Sequence, residues 1–181
     1  MELTLETERL TLRPFRLTDA EAMYSGWTSD PEVSKYLNWN THQSIEETKQ
    51  LLEIWAEESK KPERLNFAID LKAESKLIGG IDVVGYLDGV DGTPVIGYNL
   101  SRKYWGKGYM TEACRCLVAY LFSKGYRKIR IDAMPENIGS IRVIEKCGGE
   151  FIGAEEMEMP MKNKTVTVNR YVVRAGKRDA E

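Results

Sequence analysis

The sequence predicts a single domain of mixed α/β (α+β) class, in which a central, mostly antiparallel sheet of six to seven strands carries flanking helices. Between residues 66 and 100, apolar and polar residues alternate in three successive segments, with no helical pattern between them. From about residue 109, apolar residues recur at steps of three and four, which predicts a long amphipathic helix. A strand, a second helix and two strands follow this helix and complete the domain.

Local signals set the limits of these elements. Capping boxes, in which Glu follows Ser or Thr after three residues, predict helices beginning near Thr18 and Ser44. Glycines at 125 and 148 suit helix ends. Before residue 100, the predicted elements are an edge strand over 9–14, a helix over 19–24, a turn at 30–31, a helix after 44, and strands over 66–71, 77–86 and 95–100. After it come a helix from 109, a strand over 128–133, a helix over 137–147 and strands over 151–157 and 165–173. Residues 88–94 are a predicted loop and 174–181 a polar tail.

The composition excludes several classes of function. Of the 181 residues, 42% are hydrophobic and 30% charged, as in ordinary globular proteins. The net charge of −2 argues against a nucleic-acid partner, since phosphate binding needs a basic face. There is neither a secretory signal at the N-terminus nor an apolar run of a membrane span's length, so we expect a cytoplasmic protein without membrane contact. Three cysteines without zinc spacing predict reduced thiols and no metal site.

The segment with the clearest chemical meaning is Lys103-Tyr104-Trp105-Gly106-Lys107-Gly108, which leads into the long helix. Glycine permits positive φ and a close approach of a ligand to the backbone. The helix N-terminus adds unpaired N–H donors and a partial positive charge, so the segment suits a phosphate group. It is neither a P-loop nor a dinucleotide fingerprint, whose third glycine is replaced by Thr111. A tight turn before a helix is the alternative.

This segment resembles the pyrophosphate loop of the GNAT N-acetyltransferases, and most closely the branch that acetylates N-terminal amines of ribosomal proteins. Residues 6–13, Glu-Thr-Glu-Arg-Leu-Thr-Leu-Arg, resemble the opening strand of that branch. Residues 137–148, which begin with Asn-Ile-Gly-Ser, resemble its second cofactor-contacting motif. The resemblance extends from Leu3 to Val173.

The resemblance implies acetyl-CoA as cofactor, bound where the sheet splays between strands 95–100 and 128–133. The implied cofactor contacts are the backbone of Tyr98, Asn99 and Leu100, the amides of Trp105, Gly106, Lys107, Gly108, Tyr109 and Met110, and the side chains of Asn137 and Ser140. It also implies an amine acceptor, and homodimers are common in that branch. Val95 departs from the pattern, because many relatives have an acid there that could bind or deprotonate the amine.

Acetyl transfer by direct attack in a ternary complex needs a neutral amine and a proton for the leaving thiolate. Ser140 is the candidate general acid, and a serine that caps the helix backbone is the alternative. The candidates for the base are Asp82, which interrupts an apolar strand, the only histidine, His42, and ordered water. N-terminal α-amines, with a pKa of about 8, need less help than alkyl amines, with a pKa of about 10.

Trp39 and His42 lie in one predicted loop and are candidate substrate-binding residues, although aromatic residues in this region are equally suited to a core. Two other functions share the same motifs. One is an acetyltransferase for a small-molecule amine such as a polyamine, an antibiotic or an amino acid. The other is a non-catalytic acyl-CoA-binding sensor, against which the presence of Asn137 and Ser140 weighs.

Overall fold

A computed structural model describes residues 3–58, 61, 64–83 and 92–176 of the chain. One eight-stranded sheet has the order β1-β2-β3-β4-β5-β6-β8-β7. The strands are β1 Leu5–Glu6, β2 Leu10–Pro14, β3 Asn66–Leu71, β4 Lys76–Val83, β5 Val95–Leu100, β6 Lys128–Ala133, β7 Glu150–Met159 and β8 Lys164–Arg174. The helices are α1 Ala20–Met23, α2 Pro31–Ser34, α3 Ile45–Glu58, α4 Tyr109–Ser123 and α5 Ile138–Lys146.

The α+β class and the element order are confirmed, with two corrections at the first strands. The sheet has eight strands rather than six to seven. The strand missing from the prediction is β1, which is only two residues long and therefore too short to show an alternating pattern. The strand predicted at the edge over residues 9–14 is β2, and it is not an edge strand because β1 pairs with its outer side. Parts of the predicted strand 77–86, loop 88–94 and tail 174–181 lie outside the described residues.

The sheet opens between β5 and β6, as the resemblance implied. These two strands are parallel, whereas all other neighbours are antiparallel. They pair only at Val95–Arg130 and Ile96–Ile131, although both continue beyond these residues. The backbone of β5 from residue 97 onward is paired with β4 on one side and has no strand partner on the other side within the described chain.

Side chains alternate across the sheet and define two faces. The α4 face carries residues such as Ile81, Ile96 and Ile131, which pack in one buried cluster with Leu117 of α4 and Ile144 of α5. The opposite side, here called the α3 face, packs against α1 and α3 over β2–β4, where the Phe15 and Trp55 rings lie 4.8 Å apart. A residue's parity in its strand therefore decides which face its side chain reaches.

The predicted helix at residues 19–24 is longer than expected. It begins as a 3₁₀ turn over Leu17–Asp19, continues as α1 and ends in a π-helical turn over Tyr24–Thr28. The Thr18–Glu21 capping box is wrong, because the Asp19 carboxylate accepts the Arg16 N–H at 2.8 Å and also pairs with Arg13. The Asp30 cap is confirmed, since its side chain accepts the Glu32 N–H.

Candidate active site

The loop between β5 and α4 has the backbone conformation that its glycines predict. Gly106 has φ of +73° and Gly108 has φ of +81°, in the left-handed region that residues with a Cβ rarely adopt. A Cβ on Gly106 would have nothing within 4 Å, so the constraint there is conformational rather than steric. Gly108 is the N-cap of α4, and the chain therefore turns sharply to direct the loop amides and the helix N-terminus to one place.

The N-terminal segment clamps this loop through Glu112, in the first turn of α4. The Glu112 carboxylate accepts hydrogen bonds from the Thr7 hydroxyl at 2.6 Å and from the Arg9 N–H at 2.9 Å and Nε at 2.6 Å. Arg9 also donates to the Lys107 carbonyl at 3.1 Å and lies over the Tyr109 ring. Burial opposes ionisation, but these hydrogen bonds lower the pKa of Glu112 below its ordinary value.

Sequence analysis missed this clamp, because the partners are more than 100 residues apart. The resemblance identified residues 6–13 only as an opening strand, without a reason for Thr7 or Arg9 to matter. An acidic residue in the first turn of a mostly apolar helix was the available signal. Its acidic sign also suits the positive N-terminal end of the helix.

The amides of the loop are not equivalent. The Trp105 N–H donates to the Arg102 carbonyl at 3.1 Å within a turn, and the expected contact of this amide with the pyrophosphate stays a prediction. The Trp105 indole donates to the Leu100 carbonyl at 2.7 Å. In α4 the first helical hydrogen bond is made by the Glu112 N–H, so the amides of Tyr109 and Met110 point outward without helical acceptors.

A groove of about 560 Å³ joins this loop to the opening in the sheet. It is lined by residues of β5, the loop, α4, α5 and the segment around α2. All the predicted cofactor-binding residues line it except Lys107, whose ammonium lies 5.5 Å from the centre of the Tyr104 ring. The α2 segment contributes a set that sequence analysis missed, namely Glu32, Val33, Tyr36 and Leu37.

The groove contains a pair of hydroxyl groups at the N-terminus of α5. The Ser140 and Tyr98 hydroxyls are 2.8 Å apart, and the Tyr98 hydroxyl is 3.3 Å from the Ser140 carbonyl. Burial raises the pKa of Tyr98, which keeps the phenol protonated and able to donate. Asn137 caps α5 by accepting the Ser140 N–H at 3.2 Å, which fixes the serine backbone in place. The sequence indicated Ser140 but gave Tyr98 only a backbone role.

Asp82 lies elsewhere. It pairs with Gly97 across β4 and β5, one position from the Ile81–Tyr98 pair, so its side chain is on the α3 face, opposite to Tyr98. It lines a separate cavity of about 30 Å³, together with Trp55 and the Glu58–Arg64 ion pair. Burial raises the pKa of Asp82 to about 7, although Arg64 opposes the shift. A role as base stays a prediction.

His42 and Trp39 are packed into the helical side of the domain. The His42 Nδ1 lies 2.8 Å from the Thr48 hydroxyl, which in turn lies 2.9 Å from the Thr28 hydroxyl. The Trp39 ring is 5.5 Å from the imidazole and packs on the cluster that contains the buried Trp27. Burial lowers the pKa of His42. Neither side chain lines the groove, and a substrate-binding role stays a prediction.

Two other features bear on function. In residues 3–58, 61, 64–83 and 92–176, no group of three His, Cys, Asp or Glu side chains is arranged to hold a metal ion. Among those same residues, none of the helices has both the length and the apolar character needed to cross a membrane.

A sheet that opens between two parallel strands, beside an amide-rich loop and a long groove, defines a class of enzyme that binds an acyl-CoA. The family model described as "Acetyltransferase (GNAT) domain" matches residues 9–150. The chain therefore belongs to the GNAT acetyltransferase family, and it is an acetyl-CoA-dependent N-acetyltransferase.

Individual proteins agree with this assignment. The chain is 35% identical over 144 residues to an uncharacterized N-acetyltransferase p20 of Bacillus licheniformis, covering 78% of this chain and 79% of that one. It has the fold of RimL, a ribosomal L7/L12 alpha-N-protein acetyltransferase solved with coenzyme A, at 17% identity, a TM-score of 0.83 and coverage of 99% and 100%. It also has the fold of the microcin C7 self-immunity acetyltransferase MccE, solved with acetyl-CoA and AMP, at 21% identity, a TM-score of 0.81 and coverage of 93% and 94%.

Proposed function

We propose that the enzyme acetylates an N-terminal α-amine of a protein or peptide, by direct attack in a ternary complex. The observation that carries the acetyl-transfer step is the Tyr98–Ser140 hydroxyl pair in the groove, 2.8 Å apart, because it supplies a proton donor for the leaving group whatever the amine. An α-amine has a pKa of about 8 and so needs only a weak base near neutral pH. The shared fold with RimL supports this acceptor class as a starting point.

The residues present fit acetyl-CoA. Gly106 and Gly108 shape a backbone cradle, and the amides at the start of α4 are donors for the pyrophosphate. The edge of β5 over Tyr98–Leu100, which is not paired with β6, offers backbone groups to the amides of the pantetheine arm. When bound, acetyl-CoA supplies an acetyl group activated as a thioester.

The chain's own groups divide the proton transfers between them. Ser140 donates a proton to the departing sulfur, and Tyr98 donates its hydrogen bond to the serine oxygen, which stabilises the serine as it loses its proton. Asp82 remains the sequence-based candidate for the base, and its pKa of about 7 suits exchange of a proton at neutral pH. Because Asp82 and Ser140 lie on opposite faces of the sheet, the base and the acid are separated by the strand that binds the pantetheine.

A thiol-release assay tests the proposal. Peptides with free Ala, Ser or Thr N-termini are compared with the same peptides Nα-blocked, and with polyamines, aminoglycosides and free amino acids. Turnover with the free peptides and none with the blocked ones is expected. Reaction of small amines alone would refute the N-terminal acceptor. Acetyl-CoA binding with no turnover on any amine would favour the sensor over the enzyme.

A further inference from the structure

The point where β5 and β6 separate is flanked by an unusual pair of residues. The last pair of the ladder is Ile96–Ile131, so the next positions, Gly97 and Asp132, stand at the vertex of the opening. By alternation both belong to the α3 face. Gly97 has no side chain, so none stands between β5 and the Asp132 carboxyl group at this position.

Polar residues surround this vertex on the same face. Asn99 lies two positions beyond Gly97 on β5, and Arg170 pairs with Asp132 from β8. Asp82 pairs with Gly97 from the other side, so that its Cα is roughly 10 Å or more from that of Asp132, across two strand spacings. The side chain of Arg170 forms an ion pair with Glu155, and Arg130 pairs with the Oδ2 of Asp132 at 3.2 Å.

Several atoms of this group lack partners. The Oδ1 atoms of Asn99 and Asp132 are buried and accept no hydrogen bond from any described residue, and Nε of Arg170 is buried and donates none to them. A buried polar group without a partner is costly, so such groups mark a place where another molecule supplies the partner. Two acceptors beside one donor match a ligand that carries both kinds of group.

The groove reaches this cluster at Asn99, whereas Asp132 and Arg170 do not line it. Tyr98 and Asn99 both line it, and by alternation their side chains are on opposite faces of the sheet. Helices α4 and α5 cover the α4 face. An acceptor that meets the thioester in the opening therefore has the α3 face as its approach.

We propose that Asn99 and Asp132 bind the ammonium group of the acceptor, and that Arg170 binds the carbonyl oxygen next to it. The site thus selects an α-amine adjacent to a carbonyl, as in a peptide N-terminus or an amino acid, over an amine on a plain alkyl chain. This inference rests on the proposed function and specifies its substrate class. Asp132 is a binding residue here, and the proton transfers remain with the groups described above.

Steady-state kinetics of Asp132→Asn test the ammonium site. Loss of a hydrogen bond to a charged group is expected to raise the acceptor KM by on the order of 10- to 100-fold. The Kd for acetyl-CoA, measured by calorimetry, is expected to stay within twofold of wild type, which a merely structural defect would not allow. Glu156→Gln, on the exposed edge strand β7 where Glu156 bonds Thr167, is the matched control. Asn99→Ala gives the same readout if Asp132→Asn does not fold.

An unchanged acceptor KM in both variants would overturn the ammonium site and leave only bound water as the partner of these oxygens. The carbonyl contact is tested with Arg170→Gln, on a peptide and on an alkyl amine of similar size. A larger loss with the peptide is expected, and equal losses would overturn that contact. If wild type acetylates only small amines, the proposed function fails, but Asp132→Asn assayed on those amines still decides the ammonium site.

Discussion

The Tyr98 side chain reaches from the middle of β5 to Ser140 at the start of α5, and the two hydroxyls lie 2.8 Å apart. This contact spans the opening of the sheet on its α4 face, because Tyr98 belongs to one half of the sheet and α5 follows the first strand of the other. The serine therefore has a fixed neighbour that can donate to it while its own proton is directed elsewhere.

Ser140→Ala is expected to reduce kcat by on the order of 100-fold or more, the usual size of a general-acid contribution. Tyr98→Phe is expected to give a smaller loss, roughly tenfold, since the serine keeps its proton but loses a hydrogen bond. The KM for acetyl-CoA should stay near the wild-type value in both variants. Equal kcat in wild type and Ser140→Ala would show that the serine only caps the helix.

Asp82→Asn is expected to stabilise the protein at high pH. The folded-state pKa of about 7 lies above the ordinary value of 3.8, because burial disfavours the carboxylate beside Glu58 despite the Arg64 guanidinium. The protonated acid is thus favoured by folding, and this stability is present below about pH 4 and lost as the pH rises to 7. The Tm of the variant should exceed that of wild type by a few degrees at pH 8, with little difference at pH 4.

The same variant tests the base. If Asp82 accepts the amine proton, the acidic limb of the kcat/KM profile should disappear or move in Asp82→Asn. Retention of that limb, together with the expected stabilisation, would assign Asp82 a structural role only and leave ordered water as the base.

Glu112→Gln is expected to loosen the pyrophosphate loop. The amide side chain cannot accept both Arg9 donors and the Thr7 hydroxyl as the carboxylate does, so the loop loses preorganisation. The Kd for acetyl-CoA should rise by roughly 3- to 30-fold, with a smaller change in kcat. Glu53→Gln, on the exposed side of α3, is the control for the loss of one negative charge. Identical affinities in these two variants would contradict the clamp.

Gly79→Ala is expected to destabilise the protein by about 1–3 kcal/mol. A Cβ at Gly79 would lie 2.5 Å from the Asn99 carbonyl oxygen and 3.0 Å from the Leu100 Cα, and backbone atoms cannot move aside without shifting β5. Gly26→Ala is the matched control, since a Cβ there has nothing within 4 Å. Urea unfolding of both variants measures the difference.

Elements with a strong local signal could be predicted from the sequence. The α4 and α5 helices, with glycines at their C-terminal ends, and the strand order along the chain depend on short-range patterns. The resemblance located the loop and Asn137 and Ser140 because these residues are close together in sequence. The positions of the glycines were enough to predict a left-handed backbone at Gly106 and Gly108.

Features that depend on distant contacts could not be predicted in this way. Glu112 acquires its role from Thr7 and Arg9, which fold back from the other end of the domain. The face on which Asp82 lies depends on the register of β4, which a strand pattern without a partner does not give. The sequence at Thr18 fits a capping box, but the Asp19 carboxylate accepts the Arg16 N–H and stabilises a different turn.

Because β5 and β6 pair at only two positions, the sheet consists of two weakly connected halves. Strands β1–β5 and β6–β8 form two half-sheets that share few direct backbone bonds, and helices and side chains carry most of the connection. A ligand lying along the unpaired edge of β5 would add contacts that connect the two half-sheets. Its affinity then contributes to the cohesion of the whole domain, so thermal stability rises with acetyl-CoA concentration. When acetyl-CoA binds, hydrogen exchange of the backbone amides should slow in β5 and in β6 together.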